Sequence, residues 1–479
     1  MSLAVGCGGK GNDSPAECTD YLCPCSESGI RGAIVGGLGT YTFDCDGPTT
    51  VTIRREIVID RDVTLDGGGN LTIDADRRAR VLHVLDGVTA ELIALSLING
   101  RQVDGNGGGI RNEGTLTLTR IQVSMSSAGS ENGCRTDDLQ SLCSEGGGIW
   151  NAGALTLIDS TVSDNSAHFG GGIANRGGSL MLMNSHISLN SAEGCRVGAV
   201  VCSGGGGVWN SGAFTIQDST VSGNMSDWGG GIYNRSAFAL TRSAVSTNSA
   251  GFDGGGLLNF ETLIVIDSTV ADNISGQSGG GVANEAGRLE VTRSTLSGND
   301  AASAGGGIFN AAGASADLMN MTVSGNHAAT GGGMYTSGDL LLASSTIADN
   351  EAPTASALYD PGTPDTSPRS IRASLIKGDC AGSPFDSEGY NIESPGDTCG
   401  LTQNTDPPAE AQLGLGPLAD HGGPTQTHAL LESSVAIDQV PEADCIDREG
   451  KPLTEDQRGQ PRPGGTSSRC DVGAYEAQP

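Results

Sequence analysis

Apolar and polar residues alternate along most of this chain in short runs, and the runs return at a nearly fixed interval. The stretch Gly146 to Ala167 reads Gly-Gly-Gly-Ile-Trp-Asn-Ala-Gly-Ala-Leu-Thr-Leu-Ile-Asp-Ser-Thr-Val-Ser-Asp-Asn-Ser-Ala. Period-two alternation sets Ile149, Leu155, Leu157 and Val162 on one side and Trp150, Thr156 and Thr161 on the other, as in half-buried strands. The third glycine of the unit falls at Gly109, Gly148, Gly172, Gly207, Gly231, Gly256, Gly281, Gly307 and Gly333, and the last five are 25, 25, 26 and 26 residues apart. One supersecondary unit is therefore stacked on copies of itself. Three short strands per turn with the apolar side inward predict an all-β parallel β-helix solenoid. Its coils should stack about 4.8 Å apart, so that equivalent positions form ladders along the axis.

Two such ladders are asparagines: Asn112, Asn151, Asn175, Asn210, Asn234, Asn259, Asn284, Asn310, and Asn165, Asn190, Asn224, Asn248, Asn273, Asn299, Asn326, Asn350. Both are assigned to structure, because Asn at a corner tolerates left-handed backbone angles and stacked carboxamides bond one above another. A third row, Arg120, Asp159, Asn184, Asp218, Arg242, Asp267, Arg293 and Asn320, alternates charge and predicts ion pairs between coils. The pattern divides the chain into a leader remnant and tether (1–16), an N-terminal cap with a short helix (17–45), the β-helix (46–350) and a last strand with a C-terminal cap (351–479). Within the β-helix, 46–104 are opening coils and 105–350 regular Gly-Gly-Gly-Ile-x-Asn coils. Two steps are long, Gly109 to Gly148 and Gly172 to Gly207, so two insertions project from one edge two coils apart, each holding a cysteine pair.

Composition narrows the classes. With 26 Lys and Arg against 56 Asp and Glu, the net charge is −30, which disfavours nucleic acid and anionic membranes and would require a bridging cation for a polyanionic substrate. The 13 cysteines fall mostly in close pairs: Cys134–Cys143, Cys195–Cys202, Cys380–Cys399, Cys445–Cys470, and two pairs among Cys18, Cys23, Cys25 and Cys45. Scattered pairs in histidine-poor surroundings favour disulfides over zinc, and hence an oxidising, extracellular or cell-surface setting. Cys7 is left over. Met-Ser-Leu-Ala-Val-Gly before it resembles a lipoprotein processing site, although Leu3 sits four residues ahead rather than three. Cys7 is accordingly the expected lipidation point. No apolar run is long enough to span a membrane.

Candidate chemistry lies at the outward letter between Ile and Asn, which reads Arg111, Trp150, Ala174, Trp209, Tyr233, Leu258, Ala283, Phe309, Tyr335. Outward rings at Trp150, Trp209, Tyr233, Phe309 and Tyr335, with Trp228 at the entering turn, suit stacking on sugars or contact with a protein. The alternative is that insertions and turns cover them. Asp227 and Asp253 occupy the same turn in successive coils and, with His168, form a weak catalytic candidate at separations that glycosidases use. No phosphate loop, Ser-His-Asp spacing, EF-hand or His-rich metal motif is present, and no cofactor or metal is expected. An outward threonine row, Thr161, Thr220, Thr269, Thr295, Thr322 and Thr346, is interrupted by His186 and Ala244, which argues against an ice-binding array.

The runs Gly416-Pro417-Leu418-Ala419-Asp420-His421-Gly422-Gly423-Pro424-Thr425-Gln426-Thr427-His428-Ala429-Leu430-Leu431, Ala436-Ile437-Asp438, Asp456-Gln457-Arg458-Gly459 and Cys470-Asp471-Val472-Gly473-Ala474-Tyr475-Glu476 resemble the C-terminal signature of bacterial choice-of-anchor Q proteins. The repeats are similar to that family's and, more loosely, to those of chlamydial polymorphic membrane proteins. Cys25-Ser26-Glu27-Ser28-Gly29-Ile30-Arg31-Gly32-Ala33-Ile34 resembles a degenerate form of its N-terminal motif. The resemblance implies a pectin-lyase-like, right-handed β-helix at the cell surface, with no settled activity to carry over. The expected function is a non-enzymatic surface lipoprotein that binds polysaccharide or another surface component. The alternatives are a polysaccharide lyase or glycoside hydrolase using acidic turn residues, and a self-assembling surface protein.

Overall fold

The computed structural model describes residues 18–129, 143–197, 200–362, 368–407, 413–465 and 467–478, with backbone alone for 195–197 and 200–202. Cys7 and Cys134 lie outside the described residues. The chain winds as a parallel β-solenoid whose three sheets hold 13, 27 and 9 strands, which makes about 13 coils. In the coil opening at Gly146, Ile149–Asn151 joins the glycine-led sheet, Ala154–Ile158 and Thr161–Ser163 the broad sheet, and Ser166–Ala167 the narrow sheet. Coils pair parallel and in register, so Ile149 lies against Ile110 and Ile173, and Leu155 against Leu116 and Leu180.

That register turns sequence alternation into a core. Ile149, Leu157 and Val162 are fully buried, as are Ile173, Leu182 and Ile187 in the next coil. Each such side chain is worth about 1.5–3 kcal/mol over its exposed state, so the inward rows hold the coils while outward letters vary freely. The glycines allow the chain to turn close to its neighbours. Gly146 has φ 66°, and a Cβ on Gly147 or Gly148 would stand 2.3 Å from the Ser166 carbonyl oxygen or 2.7 Å from that of Gly172.

Both asparagine ladders are continuous. From Asn112 to Asn310 each Nδ2 donates to the next Oδ1 at 2.7–2.9 Å, and from Asn165 to Asn350 the distances are 2.9–3.0 Å. The expectation that these asparagines take the left-handed angles is corrected. The left-handed residues include the one before each second-ladder asparagine, such as Asp164 and Leu189, and the charged row itself, Asp159 and Arg242 among them. Asn is needed at the buried corner because its carboxamide both accepts a backbone N–H and donates to a carbonyl, as Asn224 does. Between the charged row and the next strand runs a serine ladder, with Ser160, Ser185, Ser219, Ser243, Ser268 and Ser294 accepting backbone N–H groups from the coil before. In the charged row, Arg242 and Arg293 clasp Asp218 and Asp267 one coil back through two nitrogens each.

At the N-terminal end the helix Glu27–Gly36, capped by Ser26, buries Ile30, Ala33 and Ile34 over the first coil. Disulfides Cys18–Cys23 and Cys25–Cys45 tie this cap down. The solenoid does not stop at Asn350. Leu358–Asp360, Arg369–Arg372, Leu375–Lys377, Cys380–Gly382, Asp386–Gly389 and Ile392–Ser394 continue the parallel pairing. These coils escape the repeat because Leu358 replaces the inward Ile, and the place of the Asn is taken by Thr336 and then by Asp360, which is buried against Arg369. The pair Cys380–Cys399, with Phe385 and Leu401, closes the apolar end.

The cap expected over the last coil therefore ends near Leu401, and the chain beyond takes another course. Residues 413–478, tied by Cys445–Cys470, double back as a strap along the outward face of the broad sheet. A small core with Ala373, Leu375 and Ile392 seats the strap, and hydrogen bonds to Thr295, Thr322, Ser324 and Thr346 extend its hold upstream. Those three threonines fall to 0–1 % exposure, whereas Thr161, Thr220 and Thr269 of the same row stay half-buried.

Candidate functional site

The outward letters of the glycine-led sheet line up in register from His83 through Arg111, Trp150, Ala174, Trp209, Tyr233, Leu258, Ala283, Phe309 and Tyr335 to Tyr359. Coils only about 4.8 Å apart force neighbouring rings to stack on each other. Phe309 and Tyr335 are 5.1 Å apart and 23° from parallel, and Tyr335 and Tyr359 5.3 Å and 32°. These rings thus turn their faces along the axis and present edges to solvent. Trp209 is only 6 % exposed, with Phe169 at 6.1 Å and the Arg176 guanidinium 4.9 Å from its ring. Trp150 donates its Nε1–H to Glu145 at 3.0 Å beneath Arg111. Tyr233 packs on Phe260 at 5.4 Å, and burial pushes its phenol up. Trp228 stacks on Phe252 at 4.9 Å. The face is thus part open and part covered, with its most regular run of rings at Phe309, Tyr335 and Tyr359. Tyr359 escaped the sequence pattern because the glycines are lost before it.

Where the row carries alanine, a side chain from each flank reaches across. Over Ala174, Glu145 pairs with Arg176 at 2.8 Å. Glu145 stands three residues before its third glycine, Gly148, and Arg176 four after the next, Gly172. Asp253 and Glu285 occupy the same two offsets around Gly256 and Gly281, beside Ala283. Here two carboxyls meet where the earlier coil sets an ion pair. Asp253 is 9 % exposed and accepts the Ser278 N–H at 2.8 Å. Burial raises both carboxyls above the ordinary carboxylate range, and Asp253 raises Glu285 further. The folded chain holds these protons more tightly than the unfolded chain, so the pair costs stability progressively as pH rises from the ordinary carboxylate range through the raised values. Glu285→Arg, which recreates the Glu145–Arg176 arrangement, is expected to add about 1 kcal/mol at pH 7 and to raise the melting temperature. Glu285→Gln should flatten the pH dependence above the ordinary carboxylate range, from about pH 4 upward. Thermal melts across that range check both, and an unchanged or lower melting temperature for Glu285→Arg at pH 7 would contradict the pairing.

Asp227 and Asp253 do not share a row. The backbone sets Gly251 level with Asp227, whose carbonyl accepts the Phe252 N–H at 2.8 Å, and Asp253 level with Trp228, its carbonyl accepting the Gly229 N–H at 3.0 Å. Asp227 instead accepts from the Ser203 hydroxyl at 2.6 Å. His168 is buried, its Nδ1 accepts the Ser144 N–H at 3.1 Å, and burial lowers its pKa. It lines a trough over the narrow sheet, with Ser127, Ser166 and Glu193. His168 and Asp227 do share a row, two coils apart with Ser203 between them, and Asp253 alone is set one residue out of it by the alternation at the turn. The groups that do interact on this face, Glu145 with Arg176 and Asp253 with Glu285, were legible only as equal offsets from the glycines.

Of the two insertions, one lies mostly outside the described residues. The other pairs its backbone as the hairpin Cys195–Val197 with Val200–Cys202, setting Cys195 opposite Cys202. Among the described residues the one cluster of metal-ligand type is Cys380, Glu393 and Cys399. Its sulfurs are bonded to each other, and Glu393 is taken up by the Thr398 hydroxyl and the N–H groups of Thr398 and Cys399. No described helix is long and apolar enough to cross a membrane. No family model, curated protein or solved structure matches the chain, and what its own geometry identifies is a parallel β-solenoid of about 13 coils with disulfides near both ends.

Proposed function

We propose that this is a non-enzymatic surface or secreted β-helix protein of the choice-of-anchor Q kind, held by lipid at Cys7, that engages a polysaccharide or another surface component along its glycine-led face. Disulfides near both ends fit an oxidising exterior. The observation that supports binding is the row Phe309, Tyr335, Tyr359, three half-buried rings on successive coils. Rigid amphipathic edges of this kind meet sugar or protein at low entropy cost. Phe309→Ala with Tyr335→Ala is expected to weaken capture on a glycan array about tenfold, while Trp209→Ala, at a buried ring, should lower stability instead. Undiminished capture by the double variant would remove the face from the proposal.

The pair Asp253 and Glu285 favours a second reading, a glycoside hydrolase, because glycosidases work with two carboxyls of which one is held protonated by its surroundings. Release of reducing ends from the captured glycans tests it, and capture without product excludes it.

A further inference from the structure

A net charge of −30 predicts repulsion of polyanions, yet the arginines are unevenly placed. Ten of the 23 precede Ile121, and five of those stack at one corner. Arg54 and Arg55 turn the corner of one coil, and Arg77 and Arg78 turn it in the next, where Ile53 bonds to Asp74 and Ile57 to Val81. Arg101 opens the narrow sheet one coil further, its N–H on the Ala79 carbonyl. Arg54, Arg55, Arg77 and Arg78 are exposed. Among the described residues Arg78 pairs with Asp76, and Arg54, Arg55 and Arg77 enter no ion pair.

This column runs into a trough of about 380 Å³ over the narrow sheet. Arg77 and Arg101 line one end, Ser127 follows one coil on, Asp164 shares the next coil with Ser166, and Glu193 stands one coil beyond. His168 brings no compensating cation there, since its Nδ1 accepts a backbone N–H and burial favours the neutral ring. The trough is therefore cationic at the arginine corner, hydroxyl-lined in its middle and anionic beyond.

We propose that this corner is a binding site for an acidic polysaccharide. The carboxylate or sulfate of one sugar sits between Arg77 and Arg101, its hydroxyls meet Ser127, and the chain continues over Arg54 and Arg55, away from the acidic end. Planar guanidinium groups suit both oxyanions through paired N–H donors. A coil spacing of about 4.8 Å is close to the advance of one sugar, so successive arginines meet successive anionic groups. In about 0.15 M salt the Debye length is ~8 Å, which screens the remote acids while leaving contact pairs effective. The site is separate from the aromatic row and does not depend on it.

The test is calorimetric titration in about 0.15 M salt with polygalacturonate, dextran sulfate and neutral dextran. Polygalacturonate or dextran sulfate should bind, which tells carboxylate from sulfate, and neutral dextran should not. Arg77→Asn with Arg101→Gln, and separately Arg54→Gln with Arg55→Gln, should each weaken binding about tenfold with far-UV circular dichroism unchanged. Arg242→Gln, which removes an exposed guanidinium from the charged row away from this corner, should leave it intact, which separates loss of the site from loss of one positive charge. Absence of binding to both polyanions, equal binding to neutral dextran, or undiminished binding by both arginine variants overturns the site.

Discussion

Asn248→Ala is expected to break the solenoid in its middle. Asn248 is 1 % exposed. Its Oδ1 accepts from the backbone N–H and the carboxamide of Asn224, and its Nδ2 donates to the Val221 carbonyl and to Asn273. Alanine leaves the Asn224 N–H with no acceptor inside the protein and cuts the ladder between two coils. Unpaired buried groups and lost bonds of this kind sum to about 4 kcal/mol. Because each coil touches only its neighbours, the loss should concentrate around Asn224 to Asn273 and divide the body into two weaker cooperative units. Hydrogen exchange should show it as lost protection there, with the coils near Leu65 and Leu342 unaffected. Thr247→Asn, one residue earlier at an outward left-handed position (φ 55°), should change stability by less than about 0.5 kcal/mol. Equal effects of the two substitutions would refute the ladder as the source of order between coils.

Gln457→Ala should release the strap while sparing the solenoid. Gln457 is completely buried. Its Nε2 donates toward the Ser294 and Gln426 carbonyls and the hydroxyls of Thr295 and Thr425, and its Oε1 accepts from Thr322 at 2.7 Å. The loop is held in shape from behind, where Asp456 accepts from Arg458 through two nitrogens and Arg458 donates to the Glu476 carbonyl. Loss of the amide leaves a hole and several unsatisfied groups at the interface, about 3 kcal/mol against docking. Exchange should rise in Leu415–Ala419 and Thr427–Leu430 and at the uncovered threonine strands. Gln457→Glu should do the same, since a carboxylate cannot donate to Ser294. Unaltered protection in that hairpin would show that the small core around Ala373 and Ile392 holds the strap alone.

The Asp-Gln-Arg-Gly and Gly-Ala-Tyr-Glu runs on which the family resemblance rests thus form one polar cluster that binds a strap to a sheet. In sequence they stood out only as a shared pattern. Their partners, Thr295, Thr322 and Thr346, stood out separately as an interrupted threonine row, and nothing in either pattern joined the two. Likewise Trp150, Trp209 and Tyr233 were legible as one row, but which ring faces remain free depended on neighbours more than 20 residues away, such as Arg176 for Trp150's partner Glu145.

What the sequence determined by itself is everything that repeats: strand, inward Ile, glycine turn and asparagine corner. Period-two alternation and a constant coil length convert position in the chain directly into position in space. What only the tertiary structure decided is whatever joins residues at unequal intervals. The strap's reversal along the broad sheet, the carboxyl pair Asp253 and Glu285, the arginine corner and the two coils after Asn350 all arise where side chains cross from one coil or one face to another. Such contacts depend on burial and distance between segments, and no local pattern carries those quantities.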